Sequence, residues 1–404
     1  MSKKSFKPQS GYPENVNAKQ TYAIDSICRE WAEKINALPV LLPMVESKSL
    51  FERGVGEGTD VVDKEMLQLI SKEDVVLRPE GTAGAIRAWN NQGGRNIGPQ
   101  KWFYSGYMFR NERQQAGRYK QFQQFGLELI GFKEGVADAE LLVDLDNLFI
   151  MLGIREKVIL KLNNIGTKEE RELYSKALVE WLMPYKDQLD EQSQLRLSKN
   201  PLRILDSKDE KTKEIIKESP KIDSFLGEET KKTWSSILSV LDAMGIAYEV
   251  DNSLMRGLDY YNGLVFEWVM NDEDKAQNAV AAGGRYDGLS SAIGGEPVPA
   301  LGFALGIERV AILQDEITVP PERKGVYICW MGDVLDYAFL VRKKIMDENN
   351  IVMIDDGAKN LSKQIKKANE KMYEKVIIIG ESEKETATFT LKDLISGEQT
   401  LIYL

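Results

Sequence analysis

The sequence contains no histidine, which removes every His-based triad, His metal ligand and His general base. Whatever chemistry occurs runs on Arg, Glu, Gln, Tyr and bound ions. The densest supply of such groups is KWFYSGYMFRNERQQAGRYKQFQQFGLELIG, residues 101–131. Arg110 and Arg118 bracket a polar segment there, and a guanidinium suits planar recognition of phosphate. Phe122 follows Arg118 by four residues, on the same face of an extended strand, where it can stack on a base. Gln121, Gln124 and Glu128 add donors and acceptors further along. The set reads as a nucleotide site with a second small-ligand pocket beside it. Taken alone, the stretch reads equally well as an edge hairpin with solvated arginines.

The element that positions these groups is a long antiparallel hairpin. Two apolar-rich flanks, 101–109 and 119–131, enclose a polar loop, with Gly117 where the turn needs freedom in φ. Upstream, the spacing of Ile24, Ile27, Cys28, Trp31 and Ile35 predicts an amphipathic helix over 18–37. A short strand runs to Pro43, and a helical stretch reaches Phe51. Residues 52–66 read as a loop with a helix start. In VVLRPEGTAGAIRAW, 75–89, a strand ends at Arg78-Pro79 and a helix begins near Ala83. The turn Glu80-Gly81-Thr82 then presents a carboxylate and a hydroxyl at a helix N-terminus, either as a cap or as a cradle for an ammonium. Asp138 reads as the N-cap of a helix that ends at Gly153, and a strand follows at 157–163.

Residues 167–244 are charged and helical, with helices expected at 168–183, 209–218 and 228–244. They read as an insertion in a larger sheet domain. The sheet resumes at 247–251 and continues through LMRGLDYYNGLVFEWV (254–269), AVAAGGRYDGLSSAIGG (279–295) and PALGFALGIERVAIL (299–313). The paired glycines 283–284 allow close backbone approach. Pro320-Pro321 mark a linker at 315–324. The remainder, 325–404, reads as a small α/β unit with a mixed sheet, in which a helix over 359–375 carries a lysine-rich face.

Composition sets outer limits. With 404 residues, 43% hydrophobic and 29% charged, the chain has the make-up of an ordinary soluble protein of two or three domains. A net charge of −10 argues against a generic nucleic-acid coat but leaves room for a local basic face. Cys28 and Cys329 have no CxxC context, which fits a reducing cytoplasm rather than a disulfide scaffold. No apolar run reaches membrane-span length, and the N-terminus lacks an apolar signal core.

Phe109-Arg110-Asn111-Glu112 followed by Arg118 to Phe122 resembles motif 2 of the class II aminoacyl-tRNA synthetases. The stretch around Pro43 resembles motif 1, and 299–313, with Arg309, resembles motif 3. LRPEGTA, RGLDYYNG and AGGRYDGL, in this order, resemble the signature peptides of the histidyl-tRNA synthetases. The resemblance covers nearly the whole chain. It implies an α/β (α+β) fold: an antiparallel-sheet catalytic domain over 1–318 with the helical insertion, and an anticodon-binding domain over 325–404. It implies a cytoplasmic homodimer, paired through the motif 1 region, that joins histidine to tRNA at the expense of ATP with Mg²⁺.

The residue roles it implies are specific. Arg110 and Arg256 hold the α-phosphate, and Arg256 also holds the histidine carboxylate. Arg118 and Arg309 bind the outgoing phosphates, Glu112 reads the adenine amino group, and Phe122 stacks beneath the ring. Glu80, Thr82 and Gln124 take the α-ammonium. Glu128 and Tyr261 bind the imidazole nitrogens, with Tyr260 and Tyr286 completing the pocket. Arg113 and Gln115 meet the acceptor end of the tRNA. Asn111 and Gln123 depart from the family pattern, which commonly has His at both. Three rival readings are a catalytically silent regulatory paralogue of histidine biosynthesis, a class II enzyme for another amino acid, and a pure RNA-binding protein.

Overall fold

The computed structural model describes residues 18–56, 59, 61–112, 117–207, 209–255, 260–271, 279–314, 325–347, 352–355, 357 and 360–404. The chain divides into two compact units, Met1–Asp315 and Glu316–Leu404.

The first unit begins with α1 (Ala18–Lys34), β1 (Leu38–Pro39), β2 (Val45–Ser47) and α2 (Lys48–Val55). Next come β3 (Leu67–Gln68), β4 (Val75–Leu77) and α3 (Thr82–Asn91). The hairpin strands β5 (Gln100–Phe109) and β6 (Gln121–Ile130) follow, then α4 (Val136–Met151) and β7 (Val158–Asn164). The insertion holds α5 (Lys168–Leu182), α6 (Glu191–Lys199), α7 (Glu210–Lys217) and α8 (Glu228–Ala243). The unit closes with β8 (Tyr248–Val250), β9 (Asn262–Met270), β10 (Ala279–Arg285), α9 (Leu289–Ala292), β11 (Ala300–Gly306) and α10 (Ile307–Leu313).

Among the described residues, eight strands form one sheet in the order β1-β5-β6-β11-β10-β9-β7-β8. Its interior is antiparallel, and its two edge pairs, β1/β5 and β7/β8, are parallel. Side chains alternate between faces along a strand. Phe103, Phe125, Leu127, Leu129 and Phe303 therefore share the face that packs on α1 and α4, with Trp31 and Phe149. Trp31 meets Phe125 and Phe303 edge-on, at ring-centroid distances of 6.2 and 5.9 Å. Such pairs add about 0.5–1.5 kcal/mol each beyond area burial. The opposite face of β5, β6 and β11 is left for the site.

Several sequence expectations shift. No strand runs to Pro43: β1 stops at Pro39, and Val40 N–H donates to the Phe103 carbonyl at 2.8 Å before the chain turns away. Pro43 has no N–H to offer a ladder. Asp138 is not the N-cap of α4. That position is Gly135, whose N–H donates to Asp138 Oδ2 at 2.7 Å from one turn in. The carboxylate was recruited inward by Arg285, a pair with both side chains fully buried. Helix α6 was not anticipated, because its stretch carries few apolar residues; Asp190 caps it, accepting from Ser193 N–H at 3.0 Å.

The second unit contains β12 (Val326–Trp330), α11 (Leu335–Asp347), β13 (Val352–Ile354), α12 (Leu361–Glu370), β14 (Lys375–Ile379), α13 (Glu381–Glu385), β15 (Thr388–Asp393) and β16 (Gln399–Tyr403). Its sheet order is β13-β12-β14-β15-β16, with parallel pairs around β12 and antiparallel pairs beyond β14. Helix α12 is shorter than 359–375, because it stops where Met372 adopts a positive φ of 62°. The expected linker, 315–324, lies outside the described residues.

Candidate active site

The hairpin pairs without slippage from Gln100↔Ile130 to Phe109↔Gln121. This register puts Phe122, Gln124, Gly126 and Glu128 of β6 opposite Met108, Gly106, Tyr104 and Trp102 of β5. On the other flank, Gln124, Gly126 and Glu128 face Gly306, Ala304 and Gly302 of β11. The small residues lower this floor, and a cavity opens above it. About 870 Å³ of space, part of it open to solvent, lies between the lining residues.

One end of the cavity is cationic. Arg110 leaves the end of β5, and its guanidinium donates to the Pro79 carbonyl at 2.8 Å. It also lies over the Phe122 ring, 5.4 Å from the centroid. Arg118 enters β6 beside it, after Gly117 turns the chain with φ +71°. Both guanidiniums pair with Glu112, Arg110 at 3.7 Å and Arg118 more closely. Arg309 reaches in from α10 and donates to the Gly117 carbonyl at 3.3 Å. Burial, and then the neighbouring charges of Arg110 and Arg118, pull the Arg309 pKa below its ordinary value. Three guanidiniums that repel one another inside a protein have the chemistry to accept a polyanion.

The other end is acidic and aromatic. Glu80 accepts from the backbone N–H groups of Thr82 at 2.7 Å and Ala83 at 3.0 Å. It therefore caps α3 and lines the cavity at once, and burial raises its pKa. Thr82, Gln124, Tyr260 and Tyr261 line the same end. Glu128 lies one layer deeper, fully buried. Gly302 lines the cavity directly over it, and a side chain at 302 would collide with the Glu128 carboxyl. Tyr104 donates to Glu128 Oε1 at 2.9 Å, and Tyr286 donates to Oε2. Burial pushes the Glu128 carboxyl up to about 8, against the hydrogen bonds of Tyr286, Thr82 and Tyr104, which pull it down.

Of the residues singled out in the sequence, Glu80, Thr82, Arg110, Glu112, Arg118, Phe122, Gln124, Tyr260, Tyr261 and Arg309 line this one cavity. Glu128 and Tyr286 stand behind its wall. Arg113, Gln115 and Arg256 lie outside the described residues. Tyr104 carries no signal in the sequence, and only the strand register reveals it, opposite Gly126. Glu308 also lines the cavity; it accepts from Gln123 N–H at 2.9 and 3.1 Å.

Comparison with known proteins gives this geometry a family. The family profile for histidyl-tRNA synthetase matches residues 38–310, and one for an anticodon-binding domain matches 324–404. A histidine–tRNA ligase of Marinomonas sp. (strain MWYL1) is 44% identical over 369 residues, covering 89% of this chain and 87% of that protein. The crystal structure of apo histidyl-tRNA synthetase from S. aureus superposes with a TM-score of 0.79 at 29% identity, over 99% of this chain and 97% of that one. A structure from Bacillus halodurans C described as an ATP phosphoribosyltransferase regulatory subunit/histidyl-tRNA synthetase aligns at 19% identity with a TM-score of 0.65, over 93% of this chain and 98% of that one. At that identity it shares the fold alone.

The sheet, its arginine-mouthed hairpin and the attached small α/β unit are those of an aminoacyl-tRNA synthetase. More narrowly, the chain belongs to the histidyl-tRNA synthetase family and is a histidine–tRNA ligase.

Proposed function

We propose that the cavity activates histidine with ATP and passes the histidyl group to the 3′ end of its tRNA. The observation that carries this assignment is the polarity of the cavity, with Arg110, Arg118 and Arg309 at one end and Glu80, Gln124 and the tyrosines at the other. ATP phosphates fit the first end and an amino acid's ammonium the second, so the reacting carboxylate falls between them. A carboxylate oxygen attacks the α-phosphate in line, and pyrophosphate leaves with the electrons of the broken P–O bond. Arg110, together with Arg256, stabilises the charge spreading over the phosphate oxygens. An incoming polyphosphate competes with Glu112 for Arg110 and Arg118, which frees Glu112 for the adenine amino group and uncovers Phe122 for stacking. Tyr261 would meet the imidazole at the cavity wall and Glu128 from the layer behind it, giving up a tyrosine hydrogen bond to do so; analogues lacking a ring N–H leave buried partners unpaired.

Transfer requires no imidazole base. The terminal ribose hydroxyl attacks the acyl carbon, AMP leaves, and the proton passes to a phosphate oxygen. Among the described residues no cluster of acidic or thiol side chains is built to hold a metal. Mg²⁺ commonly binds through substrate phosphates with one or two carboxylates. Glu112 and Glu308 line the phosphate end and would complete such a site. Bound there, Mg²⁺ would neutralise the polyphosphate.

Arg113 and Gln115 would meet the acceptor end of the tRNA, and the exposed lysines of α12 its anticodon region. Exposed Leu38, Leu41, Met44 and Val45 form an apolar strip suited to a second copy of the chain. Leu41 is 95% exposed, so Leu41→Asp should convert the dimer to a monomer in sedimentation analysis. The cytoplasm is the compartment that suits free, buried Cys28 and Cys329.

The direct test is charging of total tRNA with labelled histidine. The reading requires acid-precipitable label that depends on ATP and is abolished by Arg110→Ala and by Arg256→Ala. Folded protein that charges no tRNA would sink it and favour the regulatory paralogue.

A further inference from the structure

Histidyl-tRNA is consumed when a ribosome decodes a histidine codon, and these 404 residues require none. We propose that this ligase stands outside the loop that it feeds. Its synthesis uses none of its own product, so it starts histidine incorporation from a state with no histidyl-tRNA, and it continues to be made when that product runs out. The inference rests on the ligase reading above. A ligase with even one histidine in its chain halts its own production as its product falls; translation of these 404 residues does not.

The described part of the cavity has its charged and polar groups in place without an imidazole. The cationic end of the cavity is built from guanidiniums, which stay charged at any working pH. The amino-acid end is built from carboxyls, an amide and phenols. Gln123 and Asn111, the polar residues interleaved with the hairpin's site residues, do not line the cavity. Gln123 points to the opposite face of β6, where its Nε2 donates to Ser105 Oγ at 3.2 Å, and Ser105 in turn donates to Asp25. Its backbone N–H is held by Glu308. Asn111 N–H donates to the Glu65 carbonyl at 2.7 Å. The polar network around Gln123 therefore closes with amide, hydroxyl and carboxylate groups and the Arg29 guanidinium that holds Asp25, without an imidazole.

The test uses a translation system assembled from purified components, with histidine and tRNA but no added histidine ligase. It is programmed with the message for this chain and the message for a histidine-containing luciferase. Full-length chain should accumulate from the start, and luciferase should follow after a lag. The control message encodes Lys72→His, on the exposed turn between β3 and β4. It should yield neither product until a trace of purified wild-type chain is added, and both thereafter. Lys72→His protein prepared in ordinary cells should charge tRNA at the wild-type rate, which separates the codon effect from activity. Luciferase absent without a seed, although the purified wild-type chain charges tRNA in the same buffer, would overturn the proposal. So would luciferase starting unseeded from the Lys72→His message. A purified chain that charges no tRNA overturns the ligase reading itself, and the charging control shows that separately.

Discussion

Glu128 illustrates how far a single residue can be read and where pairing information becomes necessary. A carboxylate inside the apolar run FGLELIG is conspicuous in the sequence, but its partner Tyr104 looks like one more strand aromatic. Only the register sets Tyr104 beside Gly126 with its hydroxyl on Glu128. Removing that donor leaves a buried carboxyl oxygen unsatisfied, a loss of about 1–3 kcal/mol. Tyr104→Phe should therefore raise the KM for histidine by roughly 5- to 140-fold, by the 1.4 kcal/mol per tenfold relation, while the KM for ATP stays unchanged in steady-state kinetics. Glu128 also makes a pH prediction. Burial lifts its carboxyl from 4.5 to about 8 in the folded chain, so the folded state keeps a proton that the unfolded state has lost between those values. The stabilisation is full below about 4.5 and is lost as the pH rises to about 8. Over that window the thermal midpoint of the wild type should fall relative to Glu128→Gln; parallel curves would refute the shift.

At the scale of elements, those with strong periodicity were legible: α1, the β5–β6 hairpin, β11 with α10, and the alternation of strands and helices after 325. The departures have physical causes. Asp138 has the composition of an N-cap, yet a residue far away in sequence, Arg285, fixes where its carboxylate goes: Arg285 Nε donates to Asp138 Oδ1 at 3.0 Å. Sequence-local rules cannot see such a partner. The pair also makes a stability prediction. Asp138→Ala leaves a fully buried guanidinium, and breaking a buried pair costs about 3–5 kcal/mol. Asp287, 3.1 Å from Arg285 and 37% exposed, retains part of the compensation, so the loss should fall at the low end of that range in chemical denaturation. A loss below about 1 kcal/mol, the value of an ordinary surface pair, would contradict the burial argument. Helix α6 was missed for the opposite reason: its stability comes from its cap and its neighbours rather than from an apolar stripe.

For the whole molecule, the order of signature segments along the chain was the most legible feature; the hairpin itself put Arg110 beside Arg118, while Arg309 joined them only through the family resemblance. Arg110 and Arg118 flank the loop end of the hairpin, Arg309 comes from a helix nearly two hundred residues away, and the pairing of β11 with β6 brings that helix to the loop. The second unit contributes an outward basic face on α12, where Gln364 and Ala368 are buried while Lys363 and Lys366 are exposed. Lys363→Ala and Lys366→Ala should each lower the salt dependence of tRNA binding by about 1 in slope, leaving adenylate formation intact. The central claim, that one cavity activates histidine and no other amino acid, is tested most directly by ATP–pyrophosphate exchange with each of the twenty amino acids. The structure predicts exchange with histidine alone, abolished by Arg110→Ala and lost or relaxed in specificity by Glu128→Gln. Exchange driven equally by another amino acid, or exchange with histidine that is indifferent to both substitutions, would contradict it.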